Sequence, residues 1–180
     1  MTKDDLRTQM KKVREALLPG DHAQKAASLF MSTFAFPSST RIALYHAMGS
    51  ELSTNPLAEL LTEKGLKLAL PALKDGRLVF RPWNPSLPLV PDEAGIPAPS
   101  GEDTCLPSVI IAPLLAFDRK GGRLGSGKGH YDKAICDLKS LHDIVVIGYA
   151  YPQQEVDSVP QEDYDQKLNF VITSKQMIKV

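Results

Sequence analysis

The amino-acid sequence predicts a single α/β domain in three layers, with a mostly parallel central sheet flanked by helices. Apolar runs with strand character alternate with helical segments along the chain, an order typical of parallel sheets. The run from Val109 to Phe117 is apolar almost throughout, as expected of a strand that is buried on both faces. The length of 180 residues suits one domain, which we assign to residues 1–180.

Composition argues against several classes of partner. Lys plus Arg and Asp plus Glu both number 21, so no net charge would hold the chain on nucleic acid or on an anionic membrane. No segment approaches the roughly 20 consecutive apolar residues of a membrane span, and the charged N-terminal stretch is followed by no apolar run. The cysteines, Cys105 and Cys136, are far apart and fit no disulfide framework. We therefore expect a cytoplasmic protein with reduced thiols and small-molecule partners.

Three helical segments are expected in the first half of the chain. Between Lys3 and Leu17, apolar residues recur at every third or fourth position, and Thr2 is suited to cap this helix. A second helix is expected from about Asp21 to Ser32, with its alanines and Phe30 along one face. The third begins with Thr54 as its N-cap and ends at Gly65.

Six short apolar runs are expected to form strands. They are IALYHA at Ile42, LKLALPAL at Leu66, RLVFRPW at Arg77, SVIIAPLLAF at Ser108, IVVIGYAY at Ile144 and NFVIT at Asn169. The stretch from Asn84 to Pro107 is rich in proline and has no periodicity, so we expect a functional flap over the sheet edge. A last helix is expected from about Tyr131 to Lys139.

The most informative segment is AFDRKGGRLGSGKGHYDK, which follows a buried strand and precedes a helix. Its glycines let backbone N–H groups approach an anion closely, and the helix N-terminus adds partial positive charge. Arg123 and Lys128 supply full charges and are expected to lie on the loop, outside the core. Asp132 follows closely enough to hold a magnesium ion. Together these features predict a cradle for a nucleoside triphosphate.

Other interpretations of this segment remain open. It is also compatible with a flexible surface turn whose charges are solvated. Gly122, Gly127 and Lys128 satisfy the P-loop spacing of another class of nucleotide-hydrolysing enzyme or kinase, although Gly129 stands where Ser or Thr should bind magnesium. A regulatory nucleotide-binding domain would need the cradle but neither Glu51 nor the flap.

The run from Ile110 to Asp132 resembles the signature of the 5-formyltetrahydrofolate cyclo-ligase family, also called methenyltetrahydrofolate synthetases. The shared pattern is P-x-x-x-F-D, then G-x-R-L-G-x-G-x-G-x-Y-D. The matching residues are Pro113, Phe117, Asp118, Gly121 or Gly122, Arg123, Leu124, Gly125, Gly127, Gly129, Tyr131 and Asp132. The chain differs at Ser126 and His130, where many members carry Arg and Tyr, and at Ala98, where many carry Glu. The resemblance extends over nearly the whole chain.

The resemblance implies an ATP-dependent ligase that converts 5-formyltetrahydrofolate to 5,10-methenyltetrahydrofolate, ADP and phosphate through a phosphorylated formyl group. The implied ATP contacts are Lys3, Arg7, Arg123, Leu124, Gly125, Ser126, Gly127, Lys128, Gly129, His130, Tyr131 and Asp132. The implied catalytic residues are Arg123, Lys128 and Asp132. The implied magnesium ligands are Asp132 and Asp165, and the implied folate contacts are Glu51, Tyr151 and Gln154.

The expected partners are therefore ATP with Mg²⁺ and a formylated folate, and the protein is expected to be a monomer. Some of the same residues also have plainer explanations. Tyr151 can equally pack in the core, and Glu51 can be a surface carboxylate. For the cations that follow Arg7 on the first helix we favour a solvated helix face. These cations are Lys11, Lys12 and Arg14.

Overall fold

The computed structural model describes residues 1–180, the whole of the chain. The helices are α1 (Lys3–Glu15), α2 (His22–Thr33), α3 (Asn55–Glu63) and α4 (His130–Leu141). The strands are β1 (Arg41–Ala43), β2 (Lys67–Lys74), β3 (Arg77–Trp83), β4 (Leu89–Pro91), β5 (Pro97–Pro99), β6 (Val109–Ala112), β7 (Ala116–Phe117), β8 (Arg123–Leu124), β9 (Val145–Tyr149), β10 (Phe170–Ile172) and β11 (Met177–Lys179). All four predicted helices are present, with ends shifted by a few residues. None of them is long and apolar enough to span a bilayer.

Seven strands form the central sheet, in the order β11-β10-β9-β6-β1-β2-β3. The five inner strands run parallel to one another, and only the two edge strands, β3 and β11, are antiparallel to their neighbours. The predicted α/β class with a mostly parallel sheet is therefore confirmed. The sequence interpretation did not include β11, which is three residues long and half exposed.

Alternate residues of the inner strands face opposite helical layers. Ile42 and Ile111 point to the layer formed by α2 and α3, where they pack with Phe30. Ala43 and Ile110, each one residue away, belong to the core on the other face, which α4 covers. Both faces of the sheet are thus buried, which explains why its strands are apolar without interruption. The three-layer arrangement follows directly.

Two apolar or proline-rich runs differ from their predicted form. The run predicted as one strand ends at Ala112, because Pro113 cannot donate a hydrogen bond to the neighbouring strand. The chain turns there and continues as β7, which pairs with β8 in a separate ribbon. The predicted flap contains the short antiparallel pair of β4 and β5, and β5 also lies close to β2 and β3.

Helix α1 lies outside the two helical layers. The hydroxyl of Thr2 accepts a hydrogen bond from the Asp5 N–H, so Thr2 is the cap that the sequence predicts. Leu6 and Met10 pack against residues of β7 and β8, in a small core of their own. Helix α1 is thereby held against the glycine-rich segment.

Candidate active site

A cleft of about 390 Å³ opens at the carboxyl ends of β1 and β6. The helices that follow these neighbouring strands lie on opposite faces of the sheet. Helix α3 follows β1 on one face, and α4 follows β6 on the other. The strand order therefore reverses between them, and ligands of open α/β sheets usually bind at such a point. Glu51 lies in this cleft, as expected from its position after the first strand.

Most of the residues predicted from the sequence meet in this one cleft. Those that line it are Lys3, Arg7, Glu51, Arg123, Leu124, Gly125, Ser126, Gly127, Lys128, Gly129, His130, Tyr131, Asp132 and Asp165. The structure adds residues that the sequence interpretation did not assign to the site. Among these are Lys11, Arg14, Tyr45, Glu162 and Tyr164.

Helix α1 presents a row of cations to the cleft. Lys3, Arg7, Lys11 and Arg14 all line it, whereas Lys12 is exposed and does not. The preferred interpretation of a solvated helix face holds for Lys11 and Lys12, which are exposed, but not for Arg14, which is partly buried. The spacing of four, four and three residues places the four cations on one side of a helix, and this signal was available in the sequence.

Lys3 is held by two carboxylates. Its Nζ donates to Asp165 Oδ2 and to Glu162 Oε2, each at 2.6 Å. Burial alone would lower the pKa of Lys3, but the hydrogen bonds to these carboxylates outweigh that effect, so the pKa is raised. Lys3 therefore carries its positive charge at neutral pH. The same contact joins the start of α1 to the loop that carries Asp165.

The glycine-rich segment approaches α1 closely. Arg7 Nε donates to the carbonyl oxygen of Gly125 at 3.0 Å. Gly127 has a φ of +100°, and a Cβ added there would lie 3.2 Å from Arg7 Cζ. Glycine is needed at this position both for its backbone conformation and for the space that Arg7 fills. The N–H groups of residues 125–129 donate to no backbone carbonyl, so they are available to an anion.

Replacing Gly127 with alanine is expected to raise the KM for the nucleotide by about tenfold, because the new methyl group displaces Arg7 and strains the loop. Steady-state kinetics and thermal melting would measure both effects. Gly65→Ala is the matched control, since Gly65 also has a positive φ, +73°, but nothing lies within 4 Å of its added Cβ. Equal nucleotide kinetics in both variants would contradict the proposed role of the contact with Arg7.

Arg123 differs from its predicted setting. Its side chain is only 3% exposed, and Nη2 donates to Asp132 Oδ1 at 2.8 Å. The expectation that it lies outside the core is wrong, because β8 carries it under the loop, against the ring of Tyr131. Lys128, by contrast, is exposed on the loop as predicted. Arg123 Nε has no partner, and it is buried at the wall of the cleft.

Asp118 holds the glycine-rich segment in place from below. This carboxylate is 2% exposed and accepts hydrogen bonds from the backbone N–H groups of Lys120, Gly122 and Val159, at 2.8 to 2.9 Å. It therefore ties the start of the glycine-rich turn to a later loop. The sequence pattern included Asp118 but gave it no role, because all three donors are backbone N–H groups, which leave no sequence signature, and Val159 is 41 residues away.

The cleft also has apolar walls. Its walls include Met48, Leu73, Leu78, Ile96 and Pro97, and the last two come from the predicted flap. Such a surface is suited to a flat aromatic or heteroaromatic ring.

Two polar groups of the cleft, Glu51 and Tyr131, are suited to bind a ligand. Glu51 Oε2 accepts a hydrogen bond from the Met48 N–H at 2.9 Å. The hydroxyl of Tyr131 is buried without a partner. Burial, with the nearby charge of Glu51, raises the pKa of Tyr131 well above its usual range, so the phenol stays protonated. An acceptor and a donor are thus positioned for a ligand.

Tyr151 and Gln154 are not brought into the cleft. Gln154 is 2% exposed, and its side-chain amide donates to the carbonyl oxygens of Leu114 and Leu115 while accepting from the Tyr151 N–H. Tyr151 packs edge-on against His22. All hydrogen bonds of the Gln154 amide go to the backbone, so it supports the turn that forms the cleft floor. The structure thus places neither of these two predicted folate contacts in the cleft beside Glu51, and their contact with the folate stays a prediction.

The predicted magnesium ligands each keep one carboxylate oxygen without a protein partner. Asp132 Oδ1 accepts from Arg123 and from the Gln166 N–H, and Asp165 Oδ2 accepts from Lys3 and from the Glu162 N–H. No group of three or more His, Cys, Asp or Glu side chains is placed to hold a metal ion. This arrangement fits a magnesium ion that is held mainly by phosphates with one or two carboxylates, not by a protein cage.

Comparison with known proteins gives a consistent result. Residues 1–174 match the 5-formyltetrahydrofolate cyclo-ligase family. The chain is 32% identical to 5-formyltetrahydrofolate cyclo-ligase from Escherichia coli over 91% of this chain and 96% of that one. The corresponding protein of Haemophilus influenzae is 29% identical, over 91% and 92% of the two chains.

Solved structures resemble the whole chain as well. The solution structure of 5,10-methenyltetrahydrofolate synthetase from Aquifex aeolicus superposes with a TM-score of 0.85 at 26% identity, and covers 99% of this chain and 93% of that one. The resemblance inferred from the glycine-rich segment thus extends to the complete fold and sequence. The chain belongs to the 5-formyltetrahydrofolate cyclo-ligase family.

Proposed function

We propose that the chain catalyses the ATP-dependent cyclisation of 5-formyltetrahydrofolate to 5,10-methenyltetrahydrofolate, with release of ADP and phosphate. The observation that carries this proposal is that one cleft is lined by the glycine loop, by its cations, by Glu51 and by apolar side chains. Two substrates of different character, an anionic phosphate chain and a flat heteroaromatic ring, can therefore meet in it. The similarity to the 5-formyltetrahydrofolate cyclo-ligase of Escherichia coli supports the same reaction.

The formyl group is amide-like and needs activation, because its nitrogen donates electrons to the carbonyl and oxide is no leaving group. The formyl oxygen attacks the γ-phosphorus of ATP, and the bond from that phosphorus to the bridging oxygen breaks to release ADP. The second folate nitrogen then attacks the formyl carbon, closes the ring and loses its proton. The carbon–oxygen bond breaks as phosphate departs with the original formyl oxygen.

The residues of the chain supply positioning and charge for these steps. Lys3, Arg7 and Lys128 hold the phosphates with the backbone N–H groups of the glycine loop. Arg123, buried and preorganised by Asp132, faces the charge that develops during phosphoryl transfer. Glu51 accepts hydrogen bonds from the folate ring, and the apolar wall excludes water from the reacting carbon.

Magnesium fits the free oxygens of Asp132 and Asp165. When bound, it neutralises charge on the phosphates of the nucleotide. The cleft is formed by a single chain, so we propose an active monomer, and the cytoplasm as its place of action because ATP is abundant there.

The proposal is tested by following methenyl product spectroscopically, with ATP and 5-formyltetrahydrofolate supplied together and separately. Product is expected only when both are present, with one ADP released for each product molecule. ADP release that does not depend on the folate would instead indicate a nucleotide-hydrolysing enzyme. Nucleotide binding without turnover would indicate a regulatory domain.

Asp132→Asn is expected to raise the magnesium concentration needed for half-maximal activity by about tenfold, because the amide can still accept from Arg123 but carries no charge for a hard cation. A magnesium titration of activity, accompanied by thermal melting, measures this. Asp137→Asn is the control, since Asp137 lies on the same helix and is 61% exposed. An Asp132 variant that melts early but keeps the wild-type magnesium profile would show that Asp132 is structural.

A further inference from the structure

Arg14 connects α1 to the two loops that form the floor of the cleft. Its Nε donates to Ser50 Oγ at 2.9 Å, and Nη1 donates to the Leu114 carbonyl oxygen at 3.4 Å. The side chain is partly buried and lines the cleft. Both acceptors are neutral, so no carboxylate within hydrogen-bonding distance compensates its charge. A partly buried arginine that lines a cleft and has no carboxylate partner has a role beyond keeping the surface soluble.

The contact with Ser50 lies beside Glu51 in a turn that several other bonds hold. The Glu51 N–H donates to the Met48 carbonyl oxygen at 3.1 Å, and the Glu51 carboxylate accepts from the Met48 N–H. From beneath, the buried Tyr45 hydroxyl donates to the Leu52 carbonyl oxygen at 2.6 Å. Tyr45 and Arg14 thus both bind the turn of residues 48–52 from elsewhere in the chain. The contact from Arg14 is the charged one, and it reaches Ser50, the residue adjacent to Glu51.

We propose that Arg14 is a positioning residue that places the carboxylate of Glu51 for the folate. The inference rests on the proposed function, in which Glu51 contacts the folate ring. Arg14 fixes Ser50 by a charge-assisted hydrogen bond, and Ser50 in turn limits where the next residue points its side chain. Arg14 therefore acts on folate binding through Glu51, and it acts little on the nucleotide, which lies toward the other end of α1.

A double-mutant cycle tests this mechanism, with the variants Arg14→Ala, Glu51→Gln and the combination of the two. Each single substitution is expected to raise the KM for 5-formyltetrahydrofolate by about tenfold, as for the loss of one charge-assisted hydrogen bond. The double variant should be no worse than Glu51→Gln alone, because the two residues act in one chain of contacts. The KM for ATP should change less than about twofold in all three.

Further variants separate positioning from a general loss of stability. Ser50→Ala removes the acceptor without changing charge and should reproduce most of the Arg14→Ala effect. Arg14→Lys keeps a cation that reaches Ser50 and should restore part of the folate affinity. Lys12→Ala is the matched control, because Lys12 is exposed on the same helix and does not line the cleft. Thermal melting of each variant shows whether it is folded.

Several outcomes would overturn the inference. Additive effects on the folate KM would mean that Arg14 acts independently of Glu51, and an equal rise in the KM for ATP would mean a general defect of the cleft. A Glu51→Gln variant with normal folate kinetics would remove the residue through which Arg14 is said to act. A failure of the proposed function would be distinguished from a failure of this inference, because the wild-type protein itself would then form no methenyl product.

Discussion

Asp118→Ala is expected to lower the free energy of unfolding by on the order of 3 to 5 kcal/mol, because three backbone N–H groups lose their shared acceptor and each buried unpaired donor costs about 1 to 3 kcal/mol. Asp118 is 2% exposed, so water cannot replace the carboxylate without a rearrangement of the turn. Denaturant unfolding followed by circular dichroism gives the magnitude. Asp118→Asn, which keeps one acceptor oxygen, should lie between the wild type and alanine.

Asp157→Ala is the control for this experiment. Asp157 is exposed and belongs to the loop whose Val159 N–H binds Asp118. Its removal should change stability by less than about 0.5 kcal/mol, as for most surface substitutions. If Asp118→Ala unfolds as late as the control, Asp118 does not hold the glycine-rich segment. The activity of a folded Asp118 variant would then also be expected to match the wild type.

Arg123→Ala should have the largest effect on turnover, lowering kcat/KM for ATP by about a hundredfold or more, as for the loss of a preorganised group that faces developing charge. The variant should also melt earlier, because Asp132 loses its buried partner. Steady-state kinetics with ATP as the varied substrate, together with melting curves, separates the two effects. Arg123→Lys should recover part of the stability but little of the turnover, because an ammonium lacks the planar fork.

Arg119→Ala is the control for Arg123. Arg119 is 61% exposed and pairs with Glu155 outside the cleft, so nucleotide kinetics should be unchanged in its variant. Wild-type kinetics for ATP in a folded Arg123→Ala protein would contradict the role proposed for the guanidinium. A loss of stability alone, with normal turnover in the folded fraction, would restrict Arg123 to a structural role.

The sequence was informative where a structural feature depends on residues that are close together in the chain. Leu6 and Met10 recur at helical spacing, and both are buried under α1 as predicted. The uninterrupted apolar runs form strands that are covered on both faces. The glycines in the segment after β6 form a loop that lines the cleft. Glu51 was predicted at the correct sheet edge, because the loop that follows a parallel strand begins at the carboxyl edge of the sheet.

Expectation and structure differ where a residue's setting depends on partners distant in sequence. Arg123 was expected outside the core because its neighbours are glycines, but it is buried against Asp132 and the ring of Tyr131, both on α4. Gln154 was assigned to the folate, yet its amide is used by carbonyl groups of Leu114 and Leu115, about 40 residues earlier in the chain. Neither contact leaves a local pattern in the sequence.

By itself, the sequence determined the α/β class, the positions of the helices, the glycine loop and the family, since these depend on periodicity, on glycine and on a contiguous motif. Only the tertiary structure decided which side chains meet. It placed Arg14 beside Ser50 and Asp118 beneath Gly122 and Val159. The reason is that a hydrogen bond between distant residues requires the whole chain to be folded, whereas a helix face or a turn is specified by residues a few positions apart.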